Sequence, residues 1–186
     1  TLGIGRAPHP LESLAVWPVL TSFIFIFQSL TMSYQEAVIS LLSTGDRYAG
    51  LRLFFRRLTL WVGVITMLIA VTPAGRFLLG QVTGLDAGLL RFTPLPLILL
   101  STIPVSISFV SWYRAVQVNR ENTLMITRRI LVNGSVLVSL MFLGVFLLPW
   151  SGVLTASAAY AASVVAEAVF LARKSRAASE RAAPAR

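Results

Sequence analysis

Five stretches of this chain are long and apolar enough to cross a lipid bilayer, which leaves few folds open to it. A crossing helix needs about 20 mostly apolar residues. The qualifying windows are 12–43 (span A), 58–75 (B), 92–113 (C), 130–148 (D) and 152–172 (E). With no water to satisfy the backbone, a crossing segment must be a helix or part of a closed barrel, and runs of this length read as helices. The expected fold class is therefore all-α integral membrane, with about five transmembrane helices. Only 12% of the residues are charged, against about 25% in a soluble domain. There is no cysteine, which excludes disulfides, thiol nucleophiles and cysteine-based metal sites.

The placement of the bases orients the spans. Arg47, Arg52, Arg56 and Arg57 lie between A and B, and Arg114, Arg120, Arg128 and Arg129 flank the C–D loop. Arg173, Lys174, Arg176, Arg181 and Arg186 follow E. Thirteen of the 16 bases thus fall on one side, leaving Arg6, Arg76 and Arg91 on the other. The positive-inside rule predicts an outer N-terminus and a cytoplasmic C-terminus, as an odd number of spans requires. A soluble helical bundle would not show this asymmetry. Trp17 and Trp150 fall at outer ends and Trp61 and Trp112 at inner ends, where amphipathic rings favour the headgroup boundary. The implied layout is an extracytoplasmic segment 1–11, a bundle 12–174 and a disordered cytoplasmic tail 175–186. Thr1 opens the chain and no signal peptide follows, so the sequence reads as a fragment or a processed chain.

Span A exceeds one bilayer crossing, and Pro18 is placed to bend its outer part. Residues 46–58, "DRYAGLRLFFRRL", suit either an interfacial segment on an anionic leaflet or an ordinary positive loop. Residues 76–90 read as a short outer helix or turn, in which Gly80 and Gly84 form only a weak GxxxG signal. The outer half of span E is small nearly all round (Ala156, Ser157, Ala158, Ala159, Ala161, Ala162, Ser163), which favours close helix contact.

Candidate chemistry sits in spans A, C and E. Pro104 falls within span C, where it removes a helical hydrogen bond. Ser101, Ser108 and Ser111 share one face that leads to Arg114, flanked by Thr102 and Ser106. That face suits the wall of a water-filled substrate cavity; hydroxyls also serve as helix-packing residues. Glu36, beside Gln35, lies eleven residues, about 16 Å of helix, from Arg47. Glu167 lies six residues, about 9 Å, before Arg173. An ionised group at the bilayer centre costs roughly 2.5–3.5 kcal/mol, so each acid must pair, face the bundle interior or take a proton. Ion coupling, proton coupling, a gate salt bridge and a structural ion pair all remain open for Glu36. Its candidate partners are Arg114, Arg128 and Arg129. No enzyme constellation is visible, and the sole histidine, His9, precedes the first span as a flexible terminal residue. Bases dispersed over membrane-flanking loops do not suit nucleic acid. No metal or organic cofactor is expected.

"YQEA" at Glu36, "TPAGRFLLGQVTGLD" after span B and "IPVSISFVSWYRA" with Pro104 and Arg114 fall in a familiar order. "TRRILV", "LPWSGVLTASAAY" and Glu167 before "ARKSR" continue it. Across roughly residues 11–176 the chain resembles the C-terminal half of MATE-type transporters, in the multidrug/oligosaccharidyl-lipid/polysaccharide flippase superfamily. Within it the chain is most similar to the progressive ankylosis (ANK-type) proteins. The resemblance implies most of one lobe of a two-lobe transporter, partnered by an N-terminal lobe of the same protein. It implies alternating access for an anionic or amphipathic small molecule, with H+ or Na+ as coupling ion. Ser101, Thr102, Ser108, Ser111 and Arg114 would line the cavity, while Glu36, Gln35, Glu167, Arg128 and Arg129 would form coupling or gate contacts. The expected location is the bacterial inner (plasma) membrane. A lipid-linked glycan flippase and a non-transporting membrane scaffold are the alternatives.

Overall fold

The computed structural model describes residues 4–42, 48–118 and 123–182, a number of them, Gln35 included, through the backbone alone. Helices run over Pro10–Leu42 (α1), Tyr48–Val71 (α2), Pro73–Thr83 (α3), Ala87–Leu90 (α4), Pro94–Leu100 (α5), Ile103–Val118 (α6), Thr123–Leu147 (α7) and Gly152–Ala182 (α8). Among the described residues there is no strand. Five segments are long and apolar enough to cross a membrane: Pro10–Tyr34, Gly50–Val71, Pro94–Arg114, Thr127–Leu147 and Gly152–Arg173. The chain is thus an all-α bundle with the expected number of candidate spans.

Helix α1 is continuous through Pro18 for 33 residues, about 50 Å at 1.5 Å per residue, where a hydrocarbon core is about 30 Å thick. Glu36 is exposed, six residues before the end of this helix. The segment 46–58 does not form an element of its own. From Tyr48 onward it is the first part of α2 and runs directly into the second span. Packing explains this. Phe55 is buried, with its ring centroid 5.1 Å from that of Trp112 and 5.9 Å from that of Tyr34. The Tyr34 hydroxyl donates to the Leu51 carbonyl at 2.7 Å. These contacts hold the turn against α1 and α6, while Arg52, Arg56 and Arg57 stay exposed, their aliphatic stems free to reach toward headgroups. Trp112 is a buried member of this aromatic stack.

Span C is two helices. α5 ends at Leu100 and α6 begins at Ile103, with Pro104 as its second residue. Pro104 has no N–H for the Leu100 carbonyl, so a regular helix cannot continue through this point. The last turn tightens as Thr102 N–H donates to the Leu99 carbonyl. The Ser101 and Thr102 hydroxyls donate to the Ile98 and Leu99 carbonyls, both at 2.7 Å. The hydroxyls thus supply hydrogen bonds at a break that lipid could not satisfy.

Residues 76–90 form most of α3, then α4. Gly84 caps α3 with φ +66°, a left-handed conformation that glycine adopts without strain. A side chain there would touch nothing, so Gly84 serves a turn and not a GxxxG helix contact. α8 continues as far as Ala182, into the segment expected to be disordered, as its alanine-rich composition allows.

The core lies where α1, α5, α6 and α8 meet, around Val16, Leu20, Ile24, Leu97, Leu100, Ile103 and Val153. Ala156, Ser157, Ala159, Ala161 and Ser163 are buried, the close packing that the small residues of α8 predict. The N-terminal residues add a plug: Ile4 is buried, and the Pro8 carbonyl accepts the Gly152 N–H at 3.3 Å. His9 is anchored here, its ring beside Phe92 and its Nδ1 3.7 Å from Glu12. α7 is the outlier. Only 6% of its apolar window is buried, against 56% for α8, and it rests almost entirely on α8.

At the far end of that pairing, a Cβ built on Gly144 would lie 3.5 Å from the Thr155 Cβ. That is disulfide range, and the chain carries no cysteine to interfere. The double substitution Gly144→Cys/Thr155→Cys should therefore close a disulfide under mild oxidation, read as a mass loss of about 2 Da and a gel shift that reductant reverses. Two free thiols after oxidation would contradict this α7–α8 register.

Candidate functional site

Where α6, α7 and α8 approach the arginine-rich end, three polar side chains interlock inside the candidate spans. Arg129 and Asn133 lie one turn apart on α7, hence on one face. That face meets Glu167 of α8. The Arg129 guanidinium stands 2.8 Å from Glu167 Oε1, and the Asn133 amide donates to Glu167 Oε2 at 2.8 Å. Both carboxylate oxygens are engaged, and the two charged side chains are only 10% and 11% exposed. Pairing is what permits an acid and a base at this depth, since each alone would be costly. The satisfaction is incomplete, because Arg129 Nε is buried without an acceptor.

Beside this cluster opens a cleft of about 380 Å³ between α1, α6, α7 and α8. Its polar end carries Ser111, Arg114, Arg129, Asn133 and Glu167, and its remaining lining is mostly apolar, including Ile107, Val110 and Val164. Arg114 is half-buried and belongs to neither ion pair formed among the described residues. It is close enough to act electrostatically on Arg129 and Glu167 alike. Taking these three charges together, the cleft carries a net charge of +1. A second cleft of about 220 Å³ lies between α1, α5 and α8, lined by Trp17, Gln28, Leu100 and Tyr160 among others.

The expected cavity face divides. Ser111 and Arg114 line the larger cleft, and Ser101, Thr102 and Ser108 do not. The Ser108 hydroxyl donates to the Pro104 carbonyl at 2.8 Å, so all three hydroxyls bond carbonyls of their own span. Thr102 is exposed. The expected ion-pair partners also differ. Glu36 is exposed on α1 and joins neither ion pair among the described residues; Arg129 pairs with Glu167. The side chain of Gln35 lies outside the described residues. Arg128 is exposed and is not part of the cleft lining. No cluster of His, Asp or Glu among the described residues could hold a metal ion.

Asn133, half-buried, and Gln28, buried, lie outside the expected site residues. Asn133 follows Arg129 by four residues in a strongly apolar run, and that helical spacing was the available signal. Gln28 is 6% exposed inside α1, an amide whose depth only the packing of α5 and α8 defines. No protein-family model, curated protein or solved structure matches this chain. The transporter family named above therefore stays an expectation drawn from the residues themselves.

Breaking the ion pair from either side strands a buried charge. Arg129→Gln and Glu167→Gln should each lower the unfolding free energy in mixed micelles by about 3–5 kcal/mol. The double variant should fall well short of the sum. Additivity within about 0.5 kcal/mol would show that the two side chains do not interact. Glu36→Gln, at an exposed position, should change stability by less than about 0.5 kcal/mol in the same assay.

Proposed function

We propose that this chain forms most of one lobe of a secondary transporter that works by alternating access, with an anionic or amphipathic small molecule as substrate. The reading is carried by one observation: a cleft with a polar end, cationic on balance, lies between helices long and apolar enough to cross a membrane. Polar and charged groups are expensive at such depth and mark pathways more often than packing. On this proposal Ser111 and Arg114 form part of the substrate path. The Arg129–Glu167 pair is the contact whose making or breaking differs between inward-open and outward-open states. Glu36, outside the cleft, would act only at a contact with the N-terminal lobe. The proposed setting is a bacterial plasma membrane with the N-terminus outside and the arginine-rich end in the cytoplasm. H+ or Na+ is the proposed coupling ion, and no catalytic role is assigned to any residue.

A non-transporting scaffold has one observation in its favour. The hydroxyls of Ser101, Thr102 and Ser108 are bonded within their own helical segment, as residues serving only packing would be.

Cysteine accessibility separates the readings, because the chain has no native thiol. In native membranes, Ser111→Cys should react with a membrane-impermeant thiosulfonate applied from either face, since alternating access opens the cleft to each side in turn. Reaction from one face alone would rule out alternating access. Protection from both faces would favour the scaffold.

A further inference from the structure

The larger cleft is built like a receptor for an amphiphile, and we infer that it binds an anionic phospholipid, with the phosphate at Arg114 and an acyl chain along the apolar wall. The inference uses the same cleft as the proposed transport path but does not require transport. Three features carry it.

The first is polarity along one axis. α6 and α8 run toward the arginine-rich end and α7 runs away from it. Arg114, Glu167 and Arg129 consequently gather at one end of the cleft, while Ile107, Tyr160 and Gly134 lie toward the other. Arg114 lies four residues before the end of α6, and Arg129 lies six residues after the start of α7. The charges therefore gather toward one end of these helices, the end at which a lipid phosphate would be met, and the apolar lining extends away from it. Basic pockets between transmembrane helices at the cytoplasmic side are the usual receptors for anionic headgroups.

The second is an unmet need for an acceptor. Each carboxylate oxygen of Glu167 already has a partner in Arg129 or Asn133, yet Arg129 Nε is buried without one. Arg114 is a further half-buried cation outside any ion pair among the described residues. A phosphate offers several strong acceptor oxygens and matches guanidinium geometry. Another carboxylate side chain could meet the need, but Glu167 is the one acid among the described residues that line the cleft.

The third is lateral access. Met32 of α1 and Ile130 of α7 frame the cleft, and both are exposed. α7 leans on α8 and barely touches α6, so the opening faces the surroundings of the bundle at membrane depth. A lipid could enter sideways without crossing water, which a purely aqueous ligand could not.

The test is native mass spectrometry of the purified chain released from micelles, titrated with phosphatidylglycerol or phosphatidylcholine. Phosphatidylglycerol should give a discrete one-lipid adduct with at least about tenfold tighter apparent binding than phosphatidylcholine, because the net charge of the headgroup discriminates them. Arg114→Gln should remove that preference. Arg57→Gln, an equal loss of charge on an exposed part of α2, should retain it. Equal binding of the two lipids, or an unchanged preference in Arg114→Gln, would overturn the inference. Displacement of the adduct by millimolar glycerol 3-phosphate would assign the site to soluble phosphate compounds and also overturn the lipid assignment. Since Ser111→Cys accessibility reads transport geometry independently, the lipid site and the transporter reading can fail separately.

Discussion

An arginine and a glutamate placed inside candidate membrane spans leave the chain few arrangements. Each alone would have to lose its charge or draw water into the bilayer; together, with an asparagine, they neutralise one another. The pairing of Arg129 and Asn133 with Glu167 sets the register of α7 on α8 at the arginine-rich end, and the close approach of Gly144 to Thr155 sets it at the other. Since α7 has little other support, these two points decide where it stands. Its position in turn leaves the cleft open between α7 and the α1–α6 pair.

The break in span C follows the same rule of backbone satisfaction at another point. Pro104 removes one donor, and Ser101 and Thr102 return hydrogen bonds from their side chains. Hydroxyls that looked like a continuous polar wall therefore have two duties. The residues nearest the proline mend the helix, and only Ser111 and Arg114, further along, face open space. A helical stripe records which residues share a face. It does not record which of them are already occupied by their own backbone.

Glu36 shows how length alters the meaning of a charge. Within one long apolar run it resembled a carboxylate trapped in the membrane. The helix is about 50 Å long, longer than one bilayer crossing, and Glu36 is exposed six residues before its end. An exposed acid near the end of so long a helix requires no buried partner. The ion-pair role considered for Glu36 belongs to Glu167, which lies inside its span and faces α7.

Much of the architecture was legible in the sequence, because a bilayer imposes a length and a polarity that one-dimensional windows measure directly. The number of apolar helices, the interruption near Pro104 and the close packing of the small residues of α8 needed no knowledge of contacts. Helix ends at the interface were less legible. Arg52, Arg56 and Arg57 suggested a separate surface segment, and only the Phe55–Trp112–Tyr34 stack shows why that turn stays helical against the bundle. The choice of Glu167 as the partner of Arg129, the recruitment of Asn133 and the division of the span C hydroxyls were decided by tertiary structure. Each depends on which helix faces align across a gap of a few ångströms, and the identity and order of residues along one helix carry no information about the rotation and height of its neighbour.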